Sequence, residues 1–350
     1  MTGRAPTAAG PTTRRAAGTA RAWAELLRVS ALVSVPGDAL AGAATTGARP
    51  GRGTLRAIGA SLCLYEAGMA LNDWADRHED ALERPHRPLP SGRIPPAAAL
   101  AASAALTLAG LGLASRAGRP ALATATALAT TVWAYDLGLK HTPAGPATMA
   151  TARALDLLLG ALASTTPPPG PHPHGPRSLP STRPHATRSL PSTRPDVARA
   201  LPSTRPDVAR ALPSTRPDVA RALPAAALLA AHTYAVTAVS RHETQGGSTR
   251  TPLAALAVTL AVAGATSGTG RSPFGPLPAL AYARTPATLL LHAALNPSAA
   301  LTERAVAGGI RATIPLQAAL AARGGASATA LALLGLVPAA RALARKVSPT

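Results

Sequence analysis

Ten long, predominantly apolar stretches, at residues 22–47, 54–72, 95–115, 120–139, 145–165, 224–240, 251–268, 275–294, 305–322 and 326–343, leave this chain few ways to fold. Segments approaching ~20 residues have the length that a spanning helix needs. The pattern therefore predicts an all-α polytopic membrane protein.

Composition agrees. Hydrophobic residues make up 47% of the 350 and charged residues only 14%. Alanine dominates the apolar stretches, which weakens each hydropathy signal and blurs the helix ends. The stretch near 296–312, with Glu303, Arg304 and Arg311, is where the count of spans is least defined. The formal net charge of +20 raises the question of nucleic acid, but no nucleic-acid motif is present and aromatics amount to 2%, too few for base stacking. Abundant Arg, Ala, Gly and Pro resembles the output of a high-GC bacterial genome, so the expected site is a bacterial cell membrane. Cys63, the single cysteine, excludes an intramolecular disulfide and reads as a small packing residue.

Three segments stand apart from the apolar core. Residues 1–20 are rich in Thr, Gly, Ala, Pro and Arg without a compact apolar run, and read as a disordered basic arm, not a signal peptide. Residues 344–350 form a short tail. Residues 167–223 interrupt the membrane domain of 21–343 with Pro, Ser, Thr and Arg; the unit LPSTRPDVARA begins at Leu190, Leu201 and Leu212, after the variant LPSTRPHATRS at Leu179. Two prolines per unit oppose a continuous helix, so the array is expected to be a disordered, extended loop.

Residues 72–93 read NDWADRHEDALERPHRPLPSGR, between two membrane-length stretches. Asn72, Asp76 and Asp80 recur every fourth residue and fall on one side of a helix, a turn apart, with Asp73 and Glu79 off that row. Oxygen ligands and negative charge at a membrane boundary call for a hard divalent cation, Mg²⁺ above all. Arg77, Arg84, Arg87 and Arg93 add guanidinium groups suited to phosphate oxygens. A metal beside arginines implies a diphosphate. A solvated interfacial loop is the plainer alternative, but a regular row of carboxylates beside a membrane segment is functional by default.

The pattern NDxxDxxxD followed by RPxRPLPSGR resembles the first aspartate-rich motif of the UbiA-like membrane prenyltransferases. The resemblance implies about nine transmembrane helices around a central cavity, and Mg²⁺-dependent transfer of a prenyl group from an isoprenyl diphosphate to a lipophilic or aromatic acceptor. Ten spans are counted from the residues. The implied partners are those two substrates and membrane lipid, with no nucleic acid. The resemblance also implies metal ligation by Asn72, Asp76 and Asp80, catalytic roles for Asp76, Asp80 and Lys140, and diphosphate contacts from Asp73, Arg77, Arg87 and Arg93. VWAYDLGLKHT places Tyr135 and Lys140 where the family carries a Tyr and Lys pair, with one residue more than the common YxxxK spacing. Arg153 and Asp156, three apart in the fifth span, suit either a structural ion pair or the site. At the position of the family's second motif stands VSRHETQGG, in which Glu243 is the only carboxylate and Arg241 a candidate diphosphate clamp. The divergence leaves a second class of function open: a non-catalytic protein of this fold that binds or transports a lipophilic molecule. Short-loop charges Arg14, Arg15, Arg21, Lys140 and Arg241 put the aspartate-rich loop on the cytoplasmic side, against Arg49, Arg52 and Arg56.

Overall fold

A computed structural model describes residues 11–165, 215–241, 248–267 and 276–347. Among them all regular structure is helical: α1 (Pro11–Leu26), α2 (Pro36–Thr45), α3 (Arg52–Ala75), α4 (Arg77–Glu83), α5 (Pro96–Ala117), α6 (Arg119–Leu137), α7 (Gly145–Thr165), α8 (Thr215–Ser240), α9 (Arg250–Ser267), α10 (Leu277–Leu295), α11 (Ala299–Arg323) and α12 (Ser327–Val347). Short 3-10 turns occupy Val29–Ser34 and Leu139–His141. Most of the expected spans map onto one helix each, and three departures have local causes.

The first expected span, 22–47, is broken. Arg28 takes the left-handed conformation, φ 49° and ψ 48°, which ends α1 and leads into a 3-10 turn before Pro36 opens α2. Helix α1 also crosses the boundary at residue 20 that composition suggested for the arm. The second departure is the start of α8 at Thr215, inside the segment expected to be loop. The last repeat unit thus enters a helix, and Pro217 falls in its first turn, where a missing N–H costs no hydrogen bond. The remainder of the array lies outside the described residues. Third, Ala299–Arg323 is one helix carrying Glu303, Arg304 and Arg311, so the ambiguous stretch becomes the beginning of α11.

Three helices among the described residues are long and apolar enough to cross a membrane by length and composition alone: Pro96–Ala117, Val219–Ser240 and Ala299–Arg323. Small residues make the packing between helices close. Gly42 of α2 faces the Leu157 carbonyl of α7, and Gly160 of α7 faces the Ala39 backbone, so a β-carbon at either glycine would collide with main chain. Such close crossings let van der Waals contact hold helices together where lipid offers no hydrophobic gain. One alanine-rich cluster joins α2, α3, α5, α6 and α7, and a second joins α2 and α7 to α8, α9, α10 and α11. Helices α3, α6 and α7 on one side and α8 and α11 on the other enclose a central cavity of about 540 Å³.

Candidate active site at the cavity mouth

The ladder of backbone bonds that builds α3 does not stop at its end. The Asp76 N–H donates to the Asn72 carbonyl (2.9 Å) and the Asp80 N–H to the Asp76 carbonyl (2.8 Å), carrying a helical path from α3 into α4. A helix turns ~100° per residue, so an i+8 neighbour drifts ~80° while an i+7 neighbour drifts only ~20°. Asp80 therefore aligns with Asp73, and the row of Asn72, Asp76 and Asp80 fans into two groups. Asp73, set off the row by its spacing from Asn72, is instead Asp80's partner.

Arg87 joins the first group. Its Nη1 lies 2.7 Å from Asp80 Oδ2 and 3.5 Å from Asp73 Oδ1. Asp73 also receives Arg28 Nη2 at 3.3 Å, and Asp80 has Arg84 Nη1 at 3.6 Å. Both carboxylates are nearly buried, 6% and 4% exposed at the side chain, so this guanidinium support offsets a large desolvation cost. The second group gathers on the cavity side. Asn72 Nδ2 donates to Asp136 Oδ1 at 3.2 Å, Lys140 Nζ donates to Asp76 Oδ1, and His141 Nε2 stands 4.0 Å from the same Asp76 oxygen. Asp76, Glu79 and His141 can bring one ligand atom each within 4.8 Å of one another. Two of these three ligands are carboxylates, which suits a hard divalent cation.

Lys140 reaches the site because α6 ends at Leu137 and a 3-10 turn follows at Leu139–His141. Tyr135 lines the cavity beside Asn72 and Asp136. Arg241, at the end of α8, donates to the Thr142 carbonyl and so ties the second half of the bundle to this mouth.

Other expected residues stand elsewhere. Arg77 stacks 4.6 Å over the Trp74 ring and donates to the Trp74 carbonyl, turned away from the carboxylates of the cluster. Arg93 forks onto Glu25 of α1 at 2.7 and 3.1 Å and holds the His86 carbonyl, strapping the 84–95 loop to α1. Hydrogen bonding to the Glu25 carboxylate raises the Arg93 pKa above its ordinary value. Arg153 pairs with Asp38 deeper in the cavity wall. Glu243 lies outside the described residues.

Sequence reasoning missed Arg28, whose positive φ has no local signature, and the site role of Asp136, which stood beside Tyr135 in the sequence but gained meaning only from Asn72 across the helix pair.

Residues 31–263 match the UbiA prenyltransferase family. The chain belongs to that family. Digeranylgeranylglyceryl phosphate synthase of Methanothrix thermoacetophila is 39% identical over 107 residues, 30% of this chain and 40% of the relative. The chain spans about half or less of the length of such relatives, 40% to 51%. Among solved structures, the apo UbiA homologue of Aeropyrum pernix has a TM-score of 0.56 at 15% identity, covering 83% of this chain and 96% of its own. A UbiA homologue of Archaeoglobus fulgidus bound to GPP and Mg²⁺ has a TM-score of 0.51 at 16% identity, covering 87% and 99%. These likenesses establish the UbiA fold, and with the apolar helices the family makes the chain a membrane protein.

Proposed function

We propose that this UbiA family member transfers a prenyl group from an isoprenyl diphosphate to a lipophilic or aromatic acceptor within the membrane, in a Mg²⁺-dependent reaction. The observation that carries this reading is the meeting of Asp73, Asp76, Asp80 and Asp136 with Arg28, Arg87 and Lys140 at one end of the central cavity. A solved UbiA homologue with GPP and Mg²⁺ supports the substrate class.

Asn72 and Asp76 would hold the metal, with Asp80 and, from the divergent second motif, Glu243 as further carboxylates. When bound, Mg²⁺ supplies positive charge against the phosphate oxygens of the donor. Lys140, Arg87 and Arg28 sit on carboxylates within reach of the same pocket, where they would share the charge that develops as the diphosphate leaves. Tyr135 positions the diphosphate end. Leu64, Met69, Leu128, Val132 and Val236 line the chamber and keep water from the allylic cation. The acceptor then attacks. The setting is a bacterial cell membrane with the aspartate-rich loop facing the cytoplasm.

Purified full chain, incubated with radiolabelled prenyl diphosphates, Mg²⁺ and a membrane extract, tests this reading. Diphosphate release that requires both metal and acceptor is the expected result. Stoichiometric binding of the diphosphate without turnover would replace transfer by a carrier role.

A further inference from the structure

The bundle has a second charged end, opposite the mouth. Helix α3 starts there at Arg52 and reaches the mouth with Ala75, its 24th residue, roughly 35 Å away. Arg49 and Arg52 stand before and at the start of α3, Arg56 one turn on, Arg116 and Arg119 on either side of the α5–α6 turn, and Arg323 at the end of α11. Arg56 is half-buried and the other five are exposed. Arg56 Nη1 donates to the Arg116 carbonyl, and Ala57, Ala117 and Ala121 pack in one cluster, so the arginines beside them share a corner. Arg323 Nη1 donates to the Ala265 carbonyl of α9. None of the six has a carboxylate partner among the described residues.

Local structure accounts for only part of this charge. Arg116 and Arg323 lie in the last turns of α5 and α11, where the helix dipole favours a cation. Arg52 and Arg119 are the first residues of α3 and α6, where the dipole opposes one, and neither helix has an acidic residue in its first turn. Arg52 and Arg56, four apart on α3, are a like-charged pair that weakens the helix. The connection 166–214 leaves the bundle after α7 and rejoins it at α8 on this same end; its sequence has seven Arg against two Asp, so it adds positive charge.

Self-repulsion of this kind is relieved by an anion from outside. Helix α3 is longer than the ~30 Å hydrocarbon core of a bilayer, which puts its Arg52 end at headgroup level, where phosphates are the abundant anions. Guanidinium forks match phosphate oxygens bidentately. We propose that this arginine face, centred on the α3–α5–α6 corner, binds the phosphate groups of anionic phospholipid in the leaflet it borders. The charge class follows from the unmatched arginines: a headgroup of net negative charge, such as phosphatidylglycerol, is preferred to a zwitterionic one whose ammonium already offsets its phosphate. The site rests on the membrane class of the chain and is independent of prenyl transfer.

Lipid retention tests it. The full chain on affinity resin, in uncharged detergent micelles at low salt, is equilibrated with tritiated phosphatidylglycerol or tritiated phosphatidylcholine, each corrected for carry-over on empty resin. Phosphatidylglycerol should bind at least about tenfold more tightly, about 1.4 kcal/mol. That ratio should fall towards one in ~1 M salt, where the Debye length is ~3 Å. Arg52→Gln, Arg116→Gln and Arg119→Gln together should cut it about fivefold or more. Removing three charges at the mouth end, with Arg21→Gln, Arg250→Gln and Arg304→Gln, should leave it nearly unchanged, which separates this face from net charge. Arg52→Gln and Arg119→Gln singly should each give a smaller fall, so the face stays testable where the triple variant does not fold. Equal affinity of the wild type for both lipids, or the same loss in both triple variants, overturns the site. Displacement of bound phosphatidylglycerol by inorganic phosphate at matched ionic strength would overturn the lipid in favour of a small free anion.

Discussion

Arg87 is the residue whose removal should be felt most at the cavity mouth. It bridges two nearly buried carboxylates that otherwise repel each other, at 2.7 Å and 3.5 Å. Arg87→Ala should lower the rate of diphosphate release by about 100-fold or more, the usual loss for one donor at a developing anion. Arg87→Lys should recover part of it, since an ammonium is a point charge and cannot span both partners as the guanidinium does. Asp76→Asn tests the other group: it removes the anion that Lys140 and His141 face, and turnover should be lost while membrane insertion, read by fractionation, stays normal. Wild-type rates in Asp76→Asn would remove that carboxylate from the site. Residue types here were readable from the sequence, but pairing was not. Helical drift decided that Asp80 would meet Asp73, and a side-chain stack took Arg77 to Trp74.

Among the elements, the α2–α7 crossing is the tightest test of packing. Gly160→Ala would drive a β-carbon into the Ala39 backbone, which has no rotamer to escape through. The expected cost is about 1–3 kcal/mol, seen as a lower thermal midpoint in detergent. Gly112 of α5 has open space where a β-carbon would stand, with nothing within 4 Å, so Gly112→Ala should be neutral or stabilising by roughly 0.5–1 kcal/mol through helix propensity. Equal effects at both glycines would argue that the crossing does not hold the bundle. The same crossing positions Asp38 and Arg153 against each other, so stability and the inner polar end of the cavity share one interface. Apolar length was enough to foresee helices. It could not foresee the break at Arg28, because positive φ in an arginine is imposed by what surrounds it, here its pairing with Asp73 and the packing of Leu26 on Leu89 and Ile94.

For the molecule as a whole, the repeat array divides two halves that meet again at the cavity. Deleting 179–211 removes three whole units and stops before α8, whose Ala222, Ala225, Ala226 and Leu229 are buried in the core. If the array is the extended connection expected from its prolines, shortening it changes the closure entropy by only ~0.6 kcal/mol per halving of length, so activity and thermal midpoint should both stay near wild type. Extending the deletion to residue 222 should lower the midpoint sharply, because it cuts the helix. A protein inactivated by the shorter deletion but folded would assign the array a function.

The sequence by itself determined the class of structure and the place of the candidate site. Runs of membrane length admit helices and few alternatives, and NDWADRHEDALERPHRPLPSGR concentrates oxygen ligands and guanidinium groups within one short stretch. Both are local properties, legible from composition and spacing. Tertiary structure alone decided which charges neutralise one another. Asn72 to Asp136, Lys140 to Asp76, Arg153 to Asp38 and Gln317 to Asp38 are contacts between separate helices, fixed by how small-residue crossings set depth and rotation. Ion pairing depends on distances that no spacing along the chain encodes.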